Sequence, residues 1–249
     1  MAIDEWFLRQ LESQDQPQTL VRFYEWSCPT LSLGQHQKKD RAADLDFCAR
    51  HGIDVVYRPT GGRAVLHDKE LTYAIISNDQ ETFSSTSVLV TYRRIASGLC
   101  RGMHGLGVDA VLADSSTHAL DAPENPVWVK DPCFNSPSRY ELMVGDRKLI
   151  GSAQRRLQRS FLQHGSLLLD CDIPLLAGAT RADEKALLKK ITTLKSLRGD
   201  SIERQDIEKA LLQGLAEEFS TVFQEEPLTH PELEAAQRLK DLISQGVSA

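Results

Sequence analysis

The spacing of hydrophobic residues predicts helices near both ends of the chain and strands between them. Residues 2–14 place their apolar side chains on one helical face, and a second helical period covers about 88–103. After position 170 the pattern is helical again, in three successive segments. The chain is therefore predicted to combine a strand-rich middle with helices before, within and after it.

Short runs of apolar and β-branched residues predict the strands. A further helix is predicted between Asp40 as its N-cap and Gly52 just beyond its end. Residues 114–132 contain three prolines and are predicted as a long surface loop. The predicted strands cover 20–26, 30–34, 53–58, 70–77 and 108–113, followed by three strands within 139–170.

Length and composition limit the classes of protein to which the chain can belong. A chain of 249 residues with 41% hydrophobic content can form one large α/β domain. We expect a single domain over 1–249, with a helical C-terminal extension from about 173. The net charge of −6 argues against a general role in nucleic-acid binding.

The cysteines and the apolar runs predict a location. Five cysteines without a C-x-x-C pair favour free thiols in a reducing cytoplasm. No apolar run approaches the roughly 18 residues that span a bilayer. The first 14 residues read as an amphipathic helix and not as a signal peptide. We therefore expect a cytoplasmic protein without a membrane segment.

The stretch RPTGGRAVLHD (58–68) has the composition of a ligand-binding loop. Gly61 and Gly62 permit a sharp bend and a ligand against bare backbone, and Arg58 and Arg63 can pair with a carboxylate or phosphate. The stretch is neither a P-loop nor a G-x-G-x-x-G dinucleotide motif. On spacing alone, a plain turn with two exposed arginines is the commoner structure.

Lys148 follows a predicted hairpin turn at Gly145-Asp146. Strand alternation puts Lys148 and Ile150 on one face of the strand and Leu149 on the other. A lysine directed into a pocket can stabilise an acyl carbonyl oxygen or a phosphate, and the small residues that follow leave room beside it. The alternative is a solvent-facing hairpin lysine.

Cys133 ends the predicted long loop, just before a strand. Its thiolate can attack a thioester if a neighbouring base or cation lowers its pKa, and His67, His164 and Lys148 are candidate neighbours. Most free cysteines are small buried hydrophobic residues. The remaining four cysteines lie in strand or helix patterns and are predicted to belong to the core.

His164 and Gly165 interrupt an apolar strand in FLQHGSLLLD (161–170). A glycine within a strand indicates a bulge or a close backbone approach. The default interpretation of His164 is a core histidine with satisfied hydrogen bonds.

Four stretches occur in one order along the chain: PTLSLGQHQ (29–37), RPTGGRAVLHD (58–68), RKLIGSAQRR (147–156) and LQHGSLLLD (162–170). This ordered set resembles the family of lipoate–protein ligases and octanoyltransferases, which shares its catalytic fold with biotin–protein ligases. The resemblance implies an α+β fold, a mixed α/β sheet with flanking helices, of the biotin/lipoate protein ligase type.

Within the family, CFNSPSRYEL (133–142) resembles the cysteine-dependent octanoyltransferases. That resemblance implies that Cys133 is the catalytic nucleophile and that Lys148 is the catalytic residue that holds the acyl carbonyl. It further implies a substrate-binding set with Gly61, Gly62 and Arg63 as wall and cap of an acyl pocket. The whole predicted set is Arg58, Gly61, Gly62, Arg63, His67, Gly151, Ser152, Ala153, His164 and Gly165.

The implied reaction moves an octanoyl group from acyl carrier protein to Cys133. The group then passes to a lysine of a lipoyl domain of the 2-oxoacid dehydrogenase E2 subunit, or of the glycine-cleavage H protein. Because a thioester is converted to an amide, no cofactor and no metal are expected. The predicted liners of the acyl tunnel are Val65, Leu66, Leu71, Ile75 and Ile150, which fit a plain core equally well. Arg147, Arg155, Arg156 and Arg159 can form a basic docking rim for acidic partners or merely a solvated hairpin.

Three alternatives stay open at this point. The first is an ATP-dependent lipoate–protein ligase, in which the arginines and Lys148 face a phosphate. The second is an amidotransferase that moves octanoyl or lipoyl groups between lipoyl domain proteins. The third, of a different class, is a non-catalytic module that only binds carrier protein or lipoyl domains.

Overall fold

The protein has an α+β fold built on two sheets, as the resemblance implies. The computed structural model describes residues 1–83, 87–113, 141–199 and 202–244. The predicted loop at 114–132 lies outside these ranges. The strands are β1 Thr19–Tyr24, β2 Thr30–Leu33, β3 Asp54–Tyr57, β4 Val65–His67, β5 Glu70–Ser77, β6 Val111–Leu112, β7 Leu142–Val144, β8 Arg147–Arg156 and β9 Phe161–Leu168. The helices are α1 Ala2–Glu12, α2 Lys39–Ala42, α3 Leu45–Arg50, α4 Val88–Gly105, α5 Ile173–Thr180, α6 Glu184–Lys190, α7 Leu194–Arg198, α8 Arg204–Phe219 and α9 His230–Ser244.

The larger sheet contains six strands in the order β1-β5-β9-β8-β7-β6, and every neighbouring pair is antiparallel. Strand β5, the second in this order, is buried at all of its positions, because helices cover one face and the smaller sheet covers part of the other. The hairpin turn predicted at Gly145-Asp146 joins β7 to β8.

The smaller sheet has the order β3-β2-β4, with β2 parallel to β3 and antiparallel to β4. The sequence pattern predicts that the glycine loop leads directly from the strand at 53–58 to the strand at 70–77. That prediction is wrong, because the short strand β4 intervenes. The loop therefore belongs to the smaller sheet, whereas the strand at 70–77 belongs to the larger one.

Two further element predictions are also wrong. The single helix predicted between Asp40 and Gly52 is two short helices, because Ala43 is extended and Asp44 caps the second helix by accepting a 2.9 Å hydrogen bond from the Phe47 amide. The strand predicted over 108–113 is reduced to the two residues of β6.

The core divides between the two faces of the larger sheet. On one face, α4 and α8 pack tightly together, since a Cβ at Gly102 would lie 2.7 Å from the Ala210 carbonyl oxygen. On the other face, a second apolar cluster joins the smaller sheet to α5 and α6. In the described residues, no helix is long and apolar enough to cross a membrane.

Candidate active site

A cavity lies between the smaller sheet and one face of β5, β8 and β9. The volume of the cavity, including the open space at its mouth, is about 350 Å³. The register of the larger sheet aligns Thr72, Ser166 and Gly151 across three strands, so that they share one face. The lining residues are Met1, Ser32, Arg58, Val65, His67, Thr72, Gly151, Ser152, Ala153, His164, Gly165 and Ser166.

Seven of the predicted substrate-binding residues line this cavity. They come from the smaller sheet and its loop and from the neighbouring strands β8 and β9. They are Arg58, His67, Gly151, Ser152, Ala153, His164 and Gly165. Gly61, Gly62, Arg63 and Lys148 do not line it.

His164 is buried in the cavity wall, with 4% of it exposed. Its Nε2 lies 2.6 Å from Thr60 Oγ1, which also accepts from Arg58 Nε. Burial lowers the pKa of His164 to about 3, an effect that Asp4 opposes and Arg58 reinforces.

Within the described residues, His164 Nδ1 and Ser166 Oγ are both buried without a hydrogen-bond partner. The prediction of a histidine with satisfied hydrogen bonds is therefore wrong for one of its two nitrogens. A buried polar group without a partner costs about 1–3 kcal/mol. Both groups belong to residues that line the cavity.

Gly165 is required by a close approach, as its position in a strand predicts. A Cβ there would lie 2.5 Å from both the Gly151 carbonyl oxygen and the Tyr73 ring. The missing side chain lets the Tyr73 hydroxyl reach Ser152 Oγ at 2.6 Å on the opposite face of the sheet.

Arg58 is not the exposed arginine of a plain turn, because only 4% of it is exposed. Its guanidinium binds the glycine loop internally, donating to the carbonyl oxygens of Gly61 at 2.8 Å and Arg63 at 2.6 Å. Gly62 has a φ of +92°, and its carbonyl oxygen packs so closely on Gly34 that a Cβ there would lie 2.1 Å away. Arg58 thus holds the loop in shape, in addition to lining the cavity.

Lys148 is buried on β8 and forms an ion pair with Glu141, with 2.5 Å between Nζ and Oε1. The solvent-facing alternative is therefore wrong. The alternation predicted for this strand is also wrong, because the register shifts between Lys148 and Ile150, and Leu149 and Ile150 pack in the same apolar cluster. The strand leads directly from Lys148 into the cavity wall at Gly151.

Cys133 lies outside the described residues, so its role as nucleophile stays a prediction. Among the other four cysteines, Cys48 is buried and Cys100 and Cys171 are half-buried, but Cys28 is exposed. The core assignment of Cys28 is therefore wrong.

The predicted tunnel lining is largely wrong. Val65 lines the cavity, whereas Leu71, Ile75 and Ile150 lie in the apolar cluster on the opposite face and Leu66 lies in the second cluster.

The predicted basic rim is mostly engaged within the chain. Arg155 lies 3.6 Å from Glu5, Arg156 donates to Thr91 and Arg159 pairs with Asp15. Three of the four arginines thus serve the fold.

Sequence reasoning missed the polar residues that complete the wall and the lysine site. Ser32, Thr72 and Ser166 line the cavity, and Glu141 pairs with Lys148. Ser166 shared a strand face with His164, so period-two alternation was a signal for it. Ser32 lies within the motif PTLSLGQHQ and Glu141 within CFNSPSRYEL, so these two motifs were a signal for them. Among the described residues, no group of three or more His, Cys, Asp or Glu side chains could hold a metal ion.

Comparison with known proteins identifies the family. The model of the lipoyl protein ligase A/B catalytic domain matches residues 1–216. Octanoyltransferase LipM of Kyrpidia tusciae is 36% identical over 250 residues, covering 96% of this chain and 89% of the relative. Octanoyltransferase LipM of Geobacillus kaustophilus is 37% identical over 244 residues, covering 93% of this chain and 86% of the relative.

A solved structure is similar in fold. Protein Ta0514 from T. acidophilum, described as a lipoate protein ligase with bound lipoic acid, superposes with a TM-score of 0.76. The identity is 23%, over 96% of this chain and 87% of that one. This protein belongs to the family of the lipoyl protein ligase A/B catalytic domain.

Proposed function

We propose that this protein is an octanoyltransferase of lipoate biosynthesis that works through a thioester on Cys133. It is an acyltransferase that moves an octanoyl group onto a lysine of a lipoyl domain protein. The observation that carries the proposal is the likeness to LipM octanoyltransferases over 96% of the chain, with CFNSPSRYEL and RKLIGSAQRR in place.

The first step is attack of the Cys133 thiolate on an acyl thioester. A carbon–sulfur bond forms to Cys133, the bond to the donor sulfur breaks, and the donor leaves as a thiol after taking a proton. Lys148 stabilises the negative charge that develops on the carbonyl oxygen. Its buried pair with Glu141 supports this role, because a lysine fixed at 2.5 Å from a carboxylate has little freedom to reorient during the reaction.

The second step is attack of the acceptor lysine nitrogen on the thioester, which forms an amide and returns the Cys133 thiol. We assign acyl carrier protein as the donor of the first step. The acceptor is the lipoyl domain of the 2-oxoacid dehydrogenase E2 subunit or the glycine-cleavage H protein. The reaction takes place in the cytoplasm.

Intact-mass analysis after mixing with octanoyl carrier protein tests the proposal. We expect one octanoyl adduct on the wild type and none on Cys133→Ala. Cys28→Ala is the matched control, because its thiol is exposed and does not line the cavity, and it should form the adduct like the wild type.

An adduct that persists in Cys133→Ala would contradict the role of Cys133. Transfer to an apo lipoyl domain that requires lipoate and ATP, with no use of octanoyl carrier protein, would assign the protein to the ligases instead.

A further inference from the structure

A chain of three buried side chains leads away from the cavity. Ser32 Oγ lies 2.8 Å from His67 Nε2, and His67 Nδ1 lies 3.2 Å from Glu70 Oε1. All three residues are at most 4% exposed. A hydroxyl, an imidazole and a carboxylate in this order are the groups that transfer protons in acyl-transfer enzymes.

The hydrogens at the cavity end of the chain have fixed directions. Arg58 Nη1 donates to Ser32 Oγ at 3.3 Å, and a guanidinium cannot accept. At the other end of the ring, the Glu70 carboxylate only accepts, so the neutral His67 ring carries its hydrogen on Nδ1 and donates it to Glu70, and Nε2 accepts the Ser32 hydroxyl hydrogen.

The hydrogens at the Glu70 end are fixed in the same way. Trp26 Nε1 donates to Thr72 Oγ1 at 3.0 Å, so the Thr72 hydroxyl donates its hydrogen to Glu70 Oε1 at 2.5 Å. The Trp26 ring also stacks on the His67 ring, with 4.4 Å between centroids, and holds its plane. The hydrogen bonds from Ser32 through His67, and from Thr72, are thus all directed toward the Glu70 carboxylate.

The hydrogen-bonded side chains of Ser32, His67 and Glu70 lie at the Lys148 end of the cavity. Glu70 is paired with Leu168, and the adjacent residue of β9, Leu167, is paired with Ile150. Ile150 is two residues from Lys148 on β8. His164, by contrast, is opposite Ala153 at the other end.

Glu70 also opens onto a second, acidic cavity. The charged residues that line this cavity are Asp68, Glu70, Asp170 and Asp172 together with one lysine, Lys69. Within the described residues, Glu70 Oε2 is buried without a hydrogen-bond partner. The three side chains therefore connect the wall of the first cavity to a separate acidic opening.

The proposed second step must release a proton. The acceptor starts as an ammonium with three hydrogens, and its nitrogen keeps one in the amide. The departing Cys133 sulfur takes one proton as the carbon–sulfur bond breaks, and one proton remains to be removed. The first step, from one thioester to another, leaves no such surplus.

We propose that Ser32, His67 and Glu70 form a proton relay that removes this proton from the acceptor lysine. Ser32 Oγ accepts the proton while its own hydrogen moves to His67 Nε2, and Glu70 stabilises the resulting imidazolium. The imidazolium then gives up the surplus proton to solvent at the open mouth of the first cavity, and Glu70 stays ionised. This inference rests on the proposed function. It makes Ser32 and His67 catalytic residues and Glu70 a positioning residue.

The test separates the two steps in single turnover. Ser32→Ala, His67→Gln and Glu70→Gln are loaded with octanoyl carrier protein, and the adduct is then chased with an apo lipoyl domain. We expect loading at close to the wild-type rate and a chase at least about a hundredfold slower for His67→Gln, the range of general-base catalysis. Ser77→Ala is the matched control, since it removes an equally buried strand hydroxyl away from the cavity.

A second acceptor distinguishes proton transfer from structural support. Hydroxylamine is largely uncharged at neutral pH and needs no deprotonation before attack, so it should discharge the adduct of every relay variant at the wild-type rate. Equal losses with hydroxylamine and with the lipoyl domain, or slower loading, would overturn the relay. An adduct located on Ser32 by peptide mass analysis would also overturn it.

Absence of any wild-type adduct would contradict the cysteine route and not the relay. The relay is then judged on turnover with each acceptor. A selective loss for the lysine acceptor in His67→Gln supports it, and full turnover of that variant contradicts it.

Discussion

The two faces of β5, β8 and β9 differ in chemistry around the cavity. Toward the helices, Leu71, Tyr73 and Ile75 pack in one continuous apolar cluster. Toward the smaller sheet, Thr72 lines the first cavity and Glu70 lines the second, acidic cavity. The same three strands therefore carry a core on one side and a candidate active site on the other.

The comparison shows where stability and function separate. Each apolar side chain on the helix side stabilises the fold by about 1.5–3 kcal/mol through burial. On the cavity side, His164 and Ser166 keep polar atoms without partners among the described residues, which lowers stability. Retaining such groups is expected where a ligand supplies the missing partners.

The largest effect should come from the lysine at the edge of the cavity. Lys148→Ala should lower the rate of transfer by at least about a hundredfold, the typical loss of an oxyanion-stabilising donor. It should also lower the free energy of unfolding by about 3–5 kcal/mol, because Glu141 is left as a buried charge. Single-turnover transfer and urea unfolding measure the two effects.

The double variant Lys148→Met with Glu141→Gln tells these effects apart. It should recover most of the lost stability, because no buried charge remains, while transfer stays low. Recovery of transfer in this variant would refute the role of Lys148.

A change on the helix side should affect only stability. Leu99 is fully buried in the apolar cluster, and Leu99→Ala should lower the free energy of unfolding by about 2–5 kcal/mol. The transfer rate per folded molecule should not change. A loss of transfer at urea concentrations well below the unfolding midpoint would show that the two faces are coupled.

The buried histidine should make stability depend on pH. The pKa of His164 is about 3 in the folded protein, against 6.5 for a free histidine. Between these values the unfolded state binds the extra proton, so the free energy of unfolding falls as pH falls below about 6.5. The expected slope is about 1.4 kcal/mol per pH unit. The free energy of unfolding of His164→Gln should lack this contribution when pH 7 and pH 5 are compared. An equal pH dependence of unfolding in the wild type and the variant would contradict the assignment.

The smallest effect should come from Ser166. Ser166→Ala removes a buried hydroxyl without a partner in the described chain, so the free energy of unfolding should stay equal or rise by about 1 kcal/mol. Ser32→Ala is the matched comparison and should lower it by about 1–3 kcal/mol, because Arg58 and His67 lose their shared partner. Urea unfolding of both variants would reveal the contrast, and equal losses would contradict it.

The amino-acid sequence by itself determined the fold class, the family and most of the cavity wall. Short runs of apolar and β-branched residues located β5, β8 and β9, because such side chains favour strands. The order of four motifs then indicated seven residues that line one cavity. The nucleophile predicted at Cys133 rests on sequence alone.

Only the tertiary structure decided which face of each strand became core and which became cavity. Alternation separates Leu71 from Thr72, but it does not say which of the two meets the helices. The register shift at Lys148 arises where β8 pairs with β7, and β4 forms by pairing with β2. The hydrogen bonds that define the site join residues far apart in the chain, such as Thr60 and His164. No local pattern encodes such pairs, because their geometry exists only after the two sheets have packed.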